Sequence, residues 1–71
     1  MAKEVRAPIG GTIMDVLVNV GTKVEIDEEV LVIEAMKMQN IVYSPAAGIV
    51  TEIRVKPGDK VVDDAVILVV E

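Results

Sequence analysis

The stretch Gly48–Lys60, GIVTEIRVKPGDK, decides the fold because the chain contains it twice. The related stretch Gly11–Lys23, GTIMDVLVNVGTK, lies 37 residues earlier. When the alignment is extended, Arg6–Glu34 falls on Tyr43–Glu71 without a gap, and ten of the 29 aligned pairs are identical. The identical pairs include glycines and prolines, which interrupt regular structure. We therefore interpret the pattern as an internal repeat.

Apolar and polar residues alternate with a period of two after Gly11 and again after Gly48, which is typical of half-buried strands. In the first copy the alternation predicts inward-pointing side chains at Thr12, Met14, Val16 and Val18 and outward-pointing ones at Ile13, Asp15 and Leu17. In the second copy it predicts the same inward phase at Ile49, Thr51, Ile53 and Val55. Each repeat therefore begins with one strand of moderate length.

Turns and buried strands follow in the same order in both copies. Gly21 and Gly58 are suited to positive φ, and Asp27 and Asp64 tolerate the left-handed region, so these residues predict turns. Uninterrupted apolar runs follow, as expected for strands that are buried on both faces. The runs are Val30–Ile33 and Val66–Val70. No segment shows a helical period.

The amino-acid composition supports strands rather than helices. Valine and isoleucine account for 15 and 8 of the 71 residues, against three leucines and no phenylalanine or tryptophan. Side chains branched at Cβ are stiff and pack well on a pleated surface. Cysteine and histidine are absent, which removes disulfides, thiolate metal sites and the commonest general base. A chain of this length has room for one core.

These patterns predict one all-β domain over residues 1–71, with half-repeats 6–34 and 43–71 joined by a connecting hairpin over 35–42. Neither copy is large enough to enclose a core by itself. We expect the copies to pack about a pseudo-twofold axis as a flattened β-barrel or sandwich. That symmetry would place the connecting hairpin and the two chain ends at opposite ends of the molecule.

Charge and hydropathy exclude several classes of function. The net charge of −5 argues against nucleic-acid binding, which depends on clustered lysine and arginine. The longest apolar run, Ala65–Val70, is far shorter than the roughly 20 residues of a spanning helix. No charged segment followed by an apolar one opens the chain, so we expect no secretory signal. A soluble, cytoplasmic protein without direct membrane insertion is the expectation.

The connecting segment contains the candidate site. It runs Glu34-Ala35-Met36-Lys37-Met38-Gln39-Asn40, and its tip places a lysine between two methionines. Hairpin tips normally carry Gly, Asn, Asp or Pro. One interpretation is that Lys37 is simply one of five solvated lysines. The alternative, which we favour, is that Lys37 has a function, because exposed apolar residues flank it at the centre of the repeat.

Three features together resemble one known family. They are Glu34-Ala35-Met36-Lys37-Met38, the sequence Pro45-Ala46-Ala47-Gly48, and the repeated Gly-x-Lys-Val. The chain is similar over nearly its whole length to the biotinyl domain of biotin-dependent carboxylases, decarboxylases and transcarboxylases. The resemblance implies two four-stranded antiparallel sheets related by a quasi-dyad, the barrel-sandwich hybrid of biotinyl and lipoyl domains.

The resemblance also implies a function. The chain would be a biotin carboxyl carrier in which Lys37 is biotinylated by a biotin protein ligase. Lys37 would then carry a carboxyl group between a carboxylating or decarboxylating site and a carboxyltransferase site. The partners would be biotin carboxylase, carboxyltransferase or decarboxylase subunits, and Glu34, Ala35, Met36 and Met38 would help them recognise the hairpin. The chain would itself be a non-catalytic part of a multi-component enzyme.

The chain departs from the family pattern in two places. Asp27 and Asp64 stand where many members have glycine, and Gly11–Val20 runs through the point where some acetyl-CoA carboxylase carriers insert a thumb loop. The second departure argues against a thumb-containing acetyl-CoA carboxylase. The alternatives are a lipoyl carrier of a 2-oxo acid dehydrogenase complex, which has the same fold, and an unmodified adaptor. Lipoyl domains usually place Asp before the lysine, whereas here Met36 precedes it.

Other polar groups predict no separate site. The acidic run from Glu25 to Glu29 has no oxygen-ligand spacing, so we interpret it as a solvated turn rather than a metal site. Gly10-Gly11 has no following helix and does not resemble a phosphate loop. No serine or lysine pairs with an evident base, so we expect no catalytic residue.

Overall fold

The computed structural model describes residues 2–71, so the first residue of the predicted 1–71 domain lies outside the described range. Those residues form eight β-strands. The strands are β1 Lys3–Arg6, β2 Gly11–Val16, β3 Lys23–Val24, β4 Glu29–Ala35, β5 Met38–Tyr43, β6 Gly48–Ile53, β7 Lys60–Val61 and β8 Val66–Val70. None of the described residues is in a helix, so this part of the chain has no helix long and apolar enough to cross a membrane.

The strands form two four-stranded sheets, and all the strand pairs are antiparallel. Sheet A has the order β1-β8-β6-β3, and sheet B has the order β5-β4-β2-β7. Each sheet therefore takes strands from both halves of the chain. This exchange of strands explains why one half-repeat cannot form a core alone. The predicted all-β class with two four-stranded antiparallel sheets is confirmed.

Strand positions repeat at the spacing of the sequence repeat. Adding 37 to the bounds of β2 gives those of β6, and adding 37 to the bounds of β3 gives those of β7. The segment 35–42, predicted as the connecting hairpin, consists of the last residue of β4, a two-residue turn and most of β5. The quasi-dyad relates sheet A to sheet B.

Side chains from both sheets build one core. Its buried members include three pairs that the repeat relates, namely Val5 with Val42, Leu31 with Leu68, and Ile33 with Val70. The central strands β4 and β8 bury most of their side chains, as their continuous apolar sequences predict. Because valine and isoleucine dominate this core, packing favours extended backbone over helix.

The turns adopt the backbone conformations that their residues predict. Gly21 and Gly58 have the same φ of 95°, and a Cβ added at either would meet no atom within 4 Å. Asp27 and Asp64 have φ values of 68° and 70°, in the left-handed region that aspartate tolerates. The prediction for these four positions is confirmed.

The predicted inward and outward phase is wrong at the start of β2 and of β6. Ile13 and Val50 are buried, whereas Met14 is 41% exposed and Thr51 is exposed. The reason is a β-bulge in each strand. Ile13 pairs with Ile33 and Asp15 with Val32, so Met14 is an extra residue that reverses the alternation. The same shift occurs between Val50 and Glu52.

Beyond the bulges the predicted phase is restored, because Val16, Val18, Ile53 and Val55 are buried or half-buried. The remaining bulges also respect the repeat. Val30 in β4 and Ile67 in β8 are the unpaired residues, and both are fully buried.

Candidate functional site

The turn between β4 and β5 consists of Met36 and Lys37 alone. Ala35 pairs with Met38 to close the hairpin. The φ angles of Met36 and Lys37 are 53° and 62°. Positive φ at both central residues of a two-residue connection is the pattern of a type I′ turn, whose twist matches that of the flanking strands.

This turn is strained because neither central residue is Gly, Asn or Asp. For other residues the left-handed region costs on the order of 1 kcal/mol per position. The ladder between β4 and β5, with pairs from Glu29↔Tyr43 to Ala35↔Met38, holds the turn in place. Lys37 is therefore displayed on a stiff hairpin rather than a flexible loop.

Asn40 braces the strand that follows the turn. Its side-chain amide Nδ2 donates a hydrogen bond to the carbonyl oxygen of Met38, at 3.3 Å. Asn40 itself is half-buried and pairs with Ile33 across the ladder. The pairing of Ala35 with Met38 already limits the turn to two residues, and this bond adds a restraint on Met38.

Gly11 supports the other strand of the hairpin. A Cβ at this position would overlap the carbonyl oxygen of Glu34 and would lie 2.9 Å from Cγ2 of Ile33. The absence of a side chain lets the start of β2 approach β4 closely, one residue before the hairpin's closing pair. Gly11 thus lets β2 support the end of β4 that leads into the turn.

The predicted site residues differ in exposure. Lys37 is exposed, Met36 is 88% exposed and Met38 is 68% exposed. Glu34 is also exposed, whereas Ala35 is only 8% exposed. The ion pairs within residues 2–71 use arginine as the cation, so no carboxylate of that part of the chain holds the Lys37 amine. The structure thus brings all five residues into one hairpin and presents four of them to solvent.

The hairpin lies at the end of the molecule opposite the ends of the described chain. Near the turn, Thr12 of β2 pairs with Glu34. From there the chain runs along the barrel to Thr22, where the carbonyl oxygen of Thr22 accepts a hydrogen bond from the backbone amide of Val50. Val50 pairs with Val70, which in turn pairs with Lys3. The long dimension of the molecule is 33 Å, against 17 Å for the other two. The predicted separation of Lys37 from the paired chain ends is observed.

The sequence predicted the hairpin and its exposed lysine but not the residues that support them. It predicted a hairpin but not the type I′ conformation of its turn, and it assigned no supporting role to Asn40 or Gly11. A signal for Gly11 existed, because the repeat aligns it with Gly48, where a Cβ would overlap the carbonyl oxygen of Glu71. Nothing in the sequence marked Asn40.

Comparison with known families places the chain. The family model described as "Biotin-requiring enzyme" matches residues 3–70. The chain belongs to the biotin-requiring enzyme family. The resemblance inferred from the sequence around Lys37 is confirmed at the level of the family.

Two curated relatives agree with this family. The chain is 46% identical over 44 residues to "Methylmalonyl-CoA decarboxylase subunit gamma" of Veillonella parvula, covering 62% of this chain and 34% of the relative. It is 44% identical over 43 residues to "Biotin carboxyl carrier protein" of Streptococcus mutans serotype c, covering 61% of this chain and 33% of the relative. The chain thus spans about a third of the length of these relatives.

Solved structures show the same architecture within much longer chains. A single-chain, multi-domain long-chain acyl-CoA carboxylase aligns with a TM-score of 0.89 and 31% identity, covering 96% of this chain and 7% of that chain. The urea carboxylase of Kluyveromyces lactis aligns with a TM-score of 0.94 and 30% identity, covering all of this chain and 6% of that chain. This fold therefore recurs inside much longer carboxylase chains.

The family and the relatives together indicate the general role of the domain and its cofactor. This member of the biotin-requiring family is a biotin carboxyl carrier domain, and its cofactor is covalently bound biotin. None of these matches favours the lipoyl alternative over biotin.

Proposed function

We propose that Lys37 is the residue that carries biotin and that the chain is one carrier domain of a multi-component biotin-dependent enzyme. In this proposal residues 1–71 act as a single unit of two half-repeats, 6–34 and 43–71, joined through the segment 35–42. The observation that carries the proposal is an exposed lysine in a two-residue turn with positive φ at both residues, at the end of the barrel remote from the ends of the described chain.

The site fits the attachment of biotin through an amide. Attachment requires a primary amine that a second protein can reach, and Lys37 is exposed with exposed methionines on both sides. Amide formation requires a neutral amine as the nucleophile, which the modifying ligase must provide. When bound, biotin supplies a ring nitrogen that can hold a carboxyl group.

The hairpin positions the attachment point while leaving the arm free. The lysine side chain and the valeryl chain of biotin together span on the order of 14 Å, comparable with four extended residues. A stiff turn fixes where the arm starts, and the tether raises the local concentration of its end at each site it visits. The chain's own contribution is therefore placement rather than catalysis.

Met36 and Met38 are proposed to be recognised directly by the ligase and the partner enzymes. Flexible thioether side chains with exposures of 88% and 68% can adapt to differently shaped surfaces. Glu34 is exposed and available for the same contact. Ala35 is only 8% exposed, so we propose that it acts by allowing the strands to close below the turn.

The proposed partners are a biotin protein ligase and the biotin carboxylase, carboxyltransferase or decarboxylase subunits of the enzyme. The absence of a thumb insertion between Gly11 and Val20 favours a decarboxylase, a transcarboxylase or a pyruvate or acyl-CoA carboxylase. The names of the relatives, a methylmalonyl-CoA decarboxylase subunit and a long-chain acyl-CoA carboxylase, support the same group.

The test is the intact mass of the protein isolated from cells that contain a biotin protein ligase. We expect one biotinyl increment on the wild-type chain, and a modified form with one more negative charge than the −5 of the unmodified chain. A lipoyl increment would show that the cofactor is lipoyl and not biotin. No increment, together with an unchanged isoelectric point, would leave the adaptor as the better account.

Matched lysine variants show which lysine carries the mass increment. Lys37→Arg keeps the positive charge but removes the primary amine, so we expect no increment. Lys60→Arg changes an exposed lysine on β7 in the same manner, and we expect the full increment. Retention of the increment in Lys37→Arg would refute the assignment of the site.

A further inference from the structure

The two sheets are related by the repeat, yet their outer surfaces differ in chemistry. In sheet A the outer surface centres on Val69, which pairs with Glu4 on one side and Glu52 on the other. In sheet B it centres on Val32, which pairs with Ile41 on one side and Asp15 on the other. The repeat aligns each residue of one set with a residue of the other, so the comparison is position by position.

Charged side chains cover the outer surface of sheet A. Arg6 contacts Glu4 with an Nη2–Oε1 distance of 2.7 Å, and Arg54 contacts Glu52 with an Nε–Oε1 distance of 3.0 Å. Val69, whose ladder partners are Glu4 and Glu52, is only 8% exposed. This surface is well suited to water.

Apolar side chains occupy the matching positions of sheet B. Tyr43 is the counterpart of Arg6, Leu17 of Arg54, and Ile41 of Glu4. Tyr43 is 51% exposed, Leu17 is 45% exposed and Ile41 is 39% exposed. Tyr43 is also the only aromatic residue of the chain, and it lies on the surface rather than in the core. We call Leu17, Val32, Ile41 and Tyr43 the sheet B patch.

Carboxylates surround the sheet B patch, and within residues 2–71 none of them is in an ion pair. Asp15, Glu29 and Glu34 are exposed and pair across the ladders with Val32, Tyr43 and Gln39, respectively. The ion pairs among residues 2–71 involve Glu4, Glu52 and Asp64 instead. An apolar centre with an acidic rim is complementary to an apolar protein surface with a rim of lysine and arginine.

We propose that the sheet B patch is the surface by which the carrier docks on a catalytic subunit of its biotin-dependent enzyme. The matching surface of that subunit would be an apolar area surrounded by basic residues. This inference rests on the proposed carrier function. A lone exposed apolar residue needs no explanation, but a cluster that includes the only tyrosine, opposite a matching charged surface, indicates an interface. Because the apolar cluster lies on sheet B and charged side chains occupy the matching positions of sheet A, docking selects one orientation of the hairpin.

The position of the patch is compatible with delivery of the arm. Ile41 lies three residues and Tyr43 five residues beyond Met38 along β5. At roughly 3.3 Å per residue, these contacts lie about 10 to 17 Å from the turn. A subunit that holds the sheet B patch therefore leaves the tip free to project into a catalytic cleft. Modification by the ligase requires the tip itself and not the patch.

The test compares two double variants of the biotinylated chain as substrate for the catalytic subunit that co-purifies with the native enzyme. Leu17→Ser with Tyr43→Ser removes apolar groups from sheet B. Arg54→Ser with Arg6→Ser changes the counterpart positions of sheet A and is the matched control. Initial rates of carboxyl transfer are measured as a function of carrier concentration, and biotinylation by a biotin protein ligase is measured on the unmodified chains.

For the sheet B variant we expect KM for the carrier to rise about tenfold with kcat unchanged. KM of the sheet A variant should stay within about twofold of wild type. Both variants should be biotinylated at the wild-type rate. For wild type, added salt should raise KM because it screens the acidic rim.

Three outcomes would overturn the inference. They are an unchanged KM in the sheet B variant, an equal rise in both variants, and a slower biotinylation confined to the sheet B variant, which would assign the patch to the ligase. Circular dichroism of each variant confirms folding, and Leu17→Thr with Tyr43→Thr, which suits strands better, replaces the serine pair if needed. A wild-type chain that accepts no biotin would refute the proposed function instead.

Discussion

Met36 and Lys37 occupy a backbone conformation that neither side chain favours. Their φ angles of 53° and 62° lie in the left-handed region, where Asn and Gly are the usual residues of a two-residue hairpin. The chain therefore gives up some stability to place an amine and a thioether at the turn. Such strain is common at functional positions that the surrounding structure holds in place.

The strain predicts the effect of a single substitution. Met36→Asn should raise the free energy of unfolding by about 1 kcal/mol, because asparagine tolerates the left-handed region. The midpoint of thermal unfolding should rise by a few degrees, which circular dichroism can measure. Met38→Asn is the control, since Met38 lies in β5 and has no positive φ. An equal gain in both variants would contradict the account of strain at the turn.

Single residues were predictable from the sequence where intrinsic preference decides the conformation. Asp27 and Asp64 adopt positive φ as predicted, because aspartate tolerates it. Met36 and Lys37 adopt it against preference, because the register of β4 and β5 leaves only two residues for the connection. That register depends on tertiary pairing, and local sequence does not contain it.

Among the elements, the start of β2 supports the β4–β5 hairpin through close backbone packing. Gly11 lies against the Glu34 carbonyl of β4, directly below the turn. Asn40 restrains the opposite strand through its bond to the Met38 carbonyl. Both strands of the hairpin are thus held near the tip.

Two adjacent glycines provide a test of this packing. Gly11→Ala should destabilise the fold by about 2 kcal/mol, because the added methyl group overlaps backbone that cannot easily move. Gly10→Ala should cost less than about 1 kcal/mol, since its Cβ would lie 3.2 Å from the Val61 carbonyl oxygen and a small shift relieves the contact. Urea unfolding measures both free energies. Equal losses would show that Gly11 has no special role.

The inward and outward phase predicted for the start of β2 and of β6 was wrong. An alternating sequence predicts one continuous phase, but the bulges at Met14 and Thr51 each insert an unpaired residue. Both bulges occur at the same place in the repeat, so the repeat predicted their equivalence without predicting their existence. Bulges arise from the fit between strands, which periodicity within one strand does not show.

As a whole, the molecule is one core shared by two half-repeats. Each sheet takes strands from both halves, so neither half should unfold alone. The sequence repeat predicted this arrangement, since two small copies can bury their apolar faces only against each other. The difference between the outer surfaces was visible in the repeat as well, in the pairs Arg6/Tyr43 and Arg54/Leu17. Only the structure shows that the two arginines share one face and that Tyr43 and Leu17 share the other.

Substitutions in opposite halves test the shared core. Ile33→Val and Ile67→Val each remove one methylene from a fully buried side chain, and each should cost about 0.5–1.5 kcal/mol. We expect one cooperative transition in both variants, with the same midpoint by Tyr43 fluorescence and by far-ultraviolet circular dichroism. Separate midpoints, with each substitution shifting only one of them, would show that the halves are independent.

The placement of one reactive amine at the hairpin end of the barrel is the central claim, and peptide mapping of the five lysines tests it most directly. The wild-type chain is incubated with a biotin protein ligase, biotin and ATP, digested, and analysed by tandem mass spectrometry. We expect biotin on Lys37 alone, with Lys3, Lys23, Lys56 and Lys60 unmodified. Biotin on any of those four lysines with Lys37 left free would contradict the account.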